Sequence, residues 1–202
     1  MGIQKIKFVD GDMYSYEIHN IIDKHSPSLR EVTPVFDFAN PPVNPKYLSI
    51  SLIETMVNLG GVGLAAPQCG LPYRVFVMGA QGVGFACFNP EILEFWGEEK
   101  MEEGCLSFPG LFLPVTRHAN VKVRYTDWNN VTKEETFGGL TARIFQHEFA
   151  HLDGKLFVNE VSPIILDRAN GKVKVNMKKI QRQREANKTA KKIAELAKKV
   201  KG

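Results

Sequence analysis

No apolar run in this chain of 202 residues approaches the ~20 residues that a bilayer-spanning helix needs. Charges, Pro or Gly interrupt each run within a few positions, so a helical membrane protein is excluded. Cysteine is scarce: Cys69, Cys87 and Cys105 are odd in number and widely scattered. A disulfide framework is excluded, and each thiol needs its own reading. The first twenty residues have no apolar stretch of the secretory kind and carry acids, unlike a transit peptide. A cytoplasmic location is therefore expected.

A 44% hydrophobic composition is enough for one substantial core. A single domain over 1–202 is expected, with 1–25 as an N-terminal extension and 171–202 as a basic C-terminal tail. The net charge of +4 conceals an asymmetry, because from Gly171 onward there are twelve Lys/Arg against two acids. Such a tail is either a solvated helical face or a surface for polyanions. No internal repeat is found.

Residues 1–25 show no clear periodicity, and Pro27, Pro34, Pro41, Pro42 and Pro45 punctuate the segment after them. Asn44-Pro45 then reads as an N-cap with proline in the first turn, and Leu48, Leu52, Met56 and Leu59 recur at helical spacing until Gly60-Gly61. Short apolar runs at 73–78, 85–88, 92–96 and 121–128 read as strands. Asn129-Asn130 reads as a hairpin turn, because Asn tolerates positive φ. The pattern is helical again over 140–152, where Gly154 can end it, and over 172–201, where Ile180, Ile193, Ala197 and Val200 form a narrow apolar stripe.

The helix over 140–152 contains His147-Glu148-Phe149-Ala150-His151. This H-E-x-x-H spacing brings two imidazoles to one face, where they can grip a metal, while Glu148 is rotated off that face and placed to move protons. Alone the pattern arises by chance often enough to need a third ligand. No His follows His151, and Glu160 and Asp167 lie in or near a Pro163-containing stretch with no clear second helix. Upstream, Cys105 in Glu103-Gly104-Cys105-Leu106-Ser107 is the strongest candidate. A thiolate with two imidazoles leaves one tetrahedral position open, as in catalytic rather than structural sites. Cys69 and Cys87 have no such context and read as buried small hydrophobes.

Three segments resemble, in order and spacing, the signature motifs of the peptide deformylase family: Gly61-Val62-Gly63-Leu64-Ala65-Ala66-Pro67-Gln68, Glu103-Gly104-Cys105-Leu106-Ser107, and Gln146-His147-Glu148-Phe149-Ala150-His151-Leu152-Asp153-Gly154. The resemblance implies an α+β fold with a central metal-binding helix enclosed by antiparallel strands, followed here by the basic C-terminal helix. It implies removal of the N-formyl group from the terminal methionine of new polypeptides. One divalent ion is implied on Cys105, His147 and His151, Fe(II) by preference, with Zn, Ni or Co able to take its place. Glu148 would act as base and then acid. The Gln68 side chain and the Leu106 N–H would stabilise the formyl oxygen as charge develops there. Val62, Leu140, Ile144 and His147 would line a methionine pocket, and the backbones of Gly63 and Gly104 would pair with the substrate. For Leu140 and Ile144, ordinary core packing is an equal expectation. The partners implied are N-formyl-methionyl nascent peptides and, through the basic tail, the ribosome.

The chain departs from the family's pattern at three points. Ala150 stands where an Asp is usual, Phe112 stands where many bacterial members carry Arg, and Arg143 is unexpected beside a methionine pocket. Two other functions remain open on the residues alone. One is an H-E-x-x-H endopeptidase with Glu160 or Asp167 as third ligand, and the other is a non-catalytic ribosome or nascent-chain binding module.

Overall fold

The computed structural model describes residues 3–9, 12–80 and 83–200. The fold is α+β, with an antiparallel sheet and four helices. A hairpin of β1 (Ile3–Val9) and β2 (Asp12–Ile18) comes first. It is followed by α1 (Pro45–Leu59), and then by β3 (Gly63–Ala65), β4 (Val75–Ala80), β5 (Val83–Cys105), β6 (Phe108–Thr126) and β7 (Thr132–Gly138). The helices α2 (Gly139–Leu152), α3 (Pro163–Asn170) and α4 (Val173–Val200) close the chain. The second sheet has the order β3-β4-β5-β6-β7, antiparallel throughout.

Side-chain alternation along the strands explains why helices cover both faces of this sheet. Leu64, Val75, Val77, Ala86 and Phe88 point to one face, where Leu48, Leu52 and Met56 of α1 meet them. Ala65, Phe76, Met78 and Cys87 point to the other, against Ala142, Phe145 and Leu152 of α2. Phe76 and Phe145 meet edge-on at 5.0 Å, and each large side chain buried this completely contributes ~1.5–3 kcal/mol. Farther along β6, Leu111, Leu113 and Val115 form a third cluster with Phe157, joined by Ile165, Leu166 and Val173.

The helix expected from Asn44 is there, with Asn44 Oδ1 accepting the Tyr47 N–H at 3.0 Å. Asn130 takes the positive φ of 62° expected of the hairpin turn. Other expectations need correction. The runs at 85–88 and 92–96 are one strand of 23 residues. Asn89-Pro90 does not end it, because the register shifts there and Asn89 adopts a φ of 47°. Residues 3–9 and 12–18, which show no clear periodicity, form an antiparallel hairpin. It is tied to α1 by hydrogen bonds from Glu17 N–H to Ser51 Oγ (3.2 Å) and from His19 N–H to Thr55 Oγ1 (3.0 Å). Pro163 begins a helix instead of preventing one, since proline suits a first turn where its missing N–H is not needed. In α4, Ile180 is half-buried as expected. The side chains of Ile193, Ala197 and Val200 lie outside those described.

Candidate metal centre

The fold brings the three motifs together. Helix α2 carries His147, Glu148 and His151, all buried. The β5–β6 hairpin ends in a turn at Leu106-Ser107, and a register shift between Gly104 and Cys105 sets the thiol at its tip. The ligand atoms of Cys105, His147 and His151 all lie within 4.8 Å of one another, with Cys105 Sγ 3.3 Å from His151 Nε2. No other group of three or more His, Cys, Asp or Glu with this spacing occurs among the described residues. Glu160 and Asp167 are exposed and outside the group. A hollow of about 380 Å³ lined by Phe85, Tyr125, Trp128 and Lys133 contains none of these ligands.

Each ligand is oriented by its surroundings. The His147 Nδ1–H donates to Glu103 Oε2 at 2.9 Å, which leaves Nε2 to face the group. Glu103 also receives Arg117 Nε (2.6 Å), Arg117 Nη2 (3.0 Å) and Arg143 Nη1 (3.0 Å). Burial opposes its charge, but the hydrogen bonds from His147 and Arg117 outweigh that and hold its carboxyl down at about 2. His151 is held well below its usual range, first by burial and then by the charge of His147. A neutral imidazole is the form that binds metal, so His151 is ready for it, while His147, pushed up to about 10 against burial by its hydrogen bonds to Cys105 and Glu103, must release its Nε2 proton on binding. Burial pushes Glu148 up to about 7, so this carboxyl can both take and give a proton near neutrality.

The donor set fits a metal ion. Beside it Glu148 Oε2 is buried without a hydrogen-bond partner, an arrangement that native structures rarely leave uncompensated. One sulfur and two imidazole nitrogens suit a transition metal rather than Mg²⁺ or Ca²⁺.

Gln68, buried in the short 3-10 turn after β3, is held by both ends of its amide. Its Oε1 accepts the Ala65 N–H at 2.8 Å, so Nε2 points at Ser107 Oγ (3.1 Å) and Cys105 Sγ (3.4 Å). β3 is an edge strand, and Val62 O accepts the Gly79 N–H on the β4 side. By alternation Gly63 turns its N–H and C=O to the free edge. A Cβ on Gly63 would lie 2.8 Å from Glu148 Cγ, so the Glu148 side chain stands directly against this glycine. Leu106 leans on Gly61 in the same way.

The remaining expected site residues are placed less closely. Val62 and Leu140 are exposed, Gly104 is exposed beneath the Phe112 ring, and Ile144 is half-buried against the core. Arg143 does not face a methionine pocket. It is buried, and its guanidinium binds Glu103, Val115 O and Glu99 O. At Ala150 no carboxylate is available, and the end of α2 is held instead by Arg74, which donates to Asp153 Oδ1 (3.0 Å) and Leu152 O (3.3 Å). Reading the sequence missed Glu103 and Ser107 as orienting groups. The signal was available, since a metal-binding histidine nearly always donates its second N–H to a neighbour and Glu103 lies two residues from Cys105.

The family model for polypeptide deformylase matches residues 18–165. A peptide deformylase of Thermotoga petrophila is 50% identical over 113 residues, which are 55% of this chain and 69% of the relative. The crystal structure of the Thermotoga maritima peptide deformylase superposes with a TM-score of 0.69 at 40% identity, covering 73% of this chain and 100% of that one. A peptide deformylase from Acinetobacter baumannii, solved with Met-Ala-Ser bound, gives a TM-score of 0.66 at 31% identity over 71% of this chain and 98% of its own.

Proposed function

This chain belongs to the polypeptide deformylase family, and from that premise we propose that Cys105, His147 and His151 hold one divalent ion while Glu148, Gln68 and Leu106 carry the chemistry. The activity is that of the family, hydrolytic removal of the formyl group from N-formyl-methionyl nascent polypeptides. The observation that carries the assignment of residues is the convergence of thiol and imidazoles within 4.8 Å, with a buried carboxyl beside them. When bound, the metal supplies Lewis acidity, polarising a carbonyl and making water acidic enough to ionise near neutral pH. Fe(II) is the ion this reading favours, with Zn, Ni and Co as substitutes.

The protein's own groups do the rest. Glu148 accepts the proton of the attacking water and returns it to the departing amine. Gln68 Nε2, already fixed by Ala65 and Ser107, exchanges its weaker contact with Cys105 Sγ for the formyl oxygen, and the Leu106 N–H joins it. Preorganised donors of this kind are each worth ~3 kcal/mol. The free edge at Gly63 and the exposed backbone at Gly104 pair with the peptide as an added strand. Val62, Leu140, Ile144 and His147 receive the methionine side chain. A main-chain mode of this kind is indifferent to most side chains, which suits a substrate set made of many proteins.

The endopeptidase alternative is not favoured, because exposed Glu160 and Asp167 stand outside the cluster. The test separating the two is a comparison of formyl-Met-Ala-Ser, acetyl-Met-Ala-Ser and an internal peptide. Hydrolysis of the formyl bond alone is the expected result, and cleavage of the internal peptide would support the endopeptidase.

No helix among the described residues is long and apolar enough to cross a membrane, and the cytoplasm, where nascent chains emerge, is the compartment this function implies. For α4 we propose contact with ribosomal RNA through its distal lysines. The proximal part of the helix is bound to the body by Asn176 Nδ2 on Gly110 O (2.9 Å) and Arg184 Nη2 on Leu59 O (2.6 Å). Truncation after Ala186 keeps both contacts and removes six lysines. Such a variant is expected to release formate normally but to co-sediment less with ribosomes at low salt. Unchanged co-sedimentation would rule the tail out.

A further inference from the structure

Cys105 and the two histidines reach the metal centre from different elements, a strand end and a helix, so something must fix their separation. We propose that Arg143 is that positioning residue. The proposal rests on the metal reading above and goes beyond it.

Arg143 lies one helical turn before His147 on α2, and both direct a donor at the same carboxylate. His147 takes Glu103 Oε2, and Arg143 Nη1 takes Glu103 Oε1 at 3.0 Å. The same Nη1 donates to Val115 O of β6 at 3.0 Å, and Nη2 donates to Glu99 O of β5. One planar fork thereby ties the helix bearing the histidines to two points of the strand that reaches Cys105 two residues after Glu103, and to the strand beside it. This stretch of β5 needs such a tie. Beyond Phe88 it pairs with β6 alone among the described strands, and most of its side chains from Glu91 to Glu102 are exposed.

The cost of this arrangement argues that it is more than filling. The guanidinium is buried with Nε unpartnered, and an apolar side chain of similar volume would fill the space without that penalty. Lysine keeps the charge but has no planar fork with which to bridge Glu103, Glu99 O and Val115 O together.

The test uses the full-length protein loaded with Co(II), comparing wild type with Arg143→Lys and Arg143→Met. Two quantities are read: the thiolate-to-cobalt charge-transfer band, which reports how Cys105 meets the metal, and the rate of cobalt loss to excess chelator. Thermal unfolding is followed in parallel. The expected result is a shifted or weakened band and ~10–100-fold faster metal loss in Arg143→Lys, which remains folded. Arg143→Met is expected to lose metal at least as fast. A wild-type band and loss rate in Arg143→Lys would overturn the proposal, and so would a lowered melting temperature with both metal readouts unchanged. If wild type itself has no thiolate band, the metal reading falls and the proposal with it.

Discussion

Glu148→Gln is expected to lower formate release by roughly 10²–10⁴-fold while the metal stays bound, the range over which a positioned acid–base group contributes. The amide has the shape of the carboxyl but cannot accept a proton from water or return one to the amine. Glu148 is not among the clustered ligand atoms, so its change should leave metal content alone. Its Oε2 has no protein partner, so the substitution breaks no hydrogen bond at that oxygen. Metal analysis and formate release on one preparation check both halves. Loss of metal in Glu148→Gln would make this residue a ligand, and retained activity would remove it from the mechanism.

Gly63→Ala is expected to reduce kcat by ~10²-fold, although the change adds one methyl group. The added Cβ would lie 2.8 Å from both Cγ and Cδ of Glu148, closer than any real Cβ contact allows. β3 is fixed by its pairing with β4 through Gly63↔Met78, Leu64↔Val77 and Ala65↔Phe76. The base must therefore move, and a displacement near 1 Å is enough for such a loss. Gly61→Ala provides the comparison. There the nearest atom is Leu106 Cδ1, also at 2.8 Å but at the end of a flexible side chain, so the cost should be within a few-fold. Measured side by side, Gly63→Ala with wild-type kcat would show that Glu148 does not depend on this contact.

Much of this site was legible in the sequence, because its groups recur at spacings that elementary geometry interprets. His147 and His151 are one helical turn apart, Asn44-Pro45 announces α1, and Cys105 stood out once no downstream ligand was suitable. Other features left weak traces. The stretch of β5 between Glu91 and Glu102 lacks a buried face, so it carries no period-two signal. α3 has no fully buried residue, and its apolar pattern is correspondingly faint. Arg143 was misplaced for a different reason. Its partners Val115, Glu103 and Glu99 lie 28, 40 and 44 residues away, and only the folded hairpin brings them to it. The Phe112 ring lies over exposed Gly104, a contact across the β5–β6 hairpin that no local spacing announces.

The most direct measurement is release of formate and of free methionyl amine from formyl-Met-Ala-Ser by anaerobically purified protein of known metal content. The expected result is one formate per amine, in proportion to bound Fe(II) or Ni(II), and nearly abolished in Glu148→Gln. No formate from protein with either ion bound would contradict the assignment.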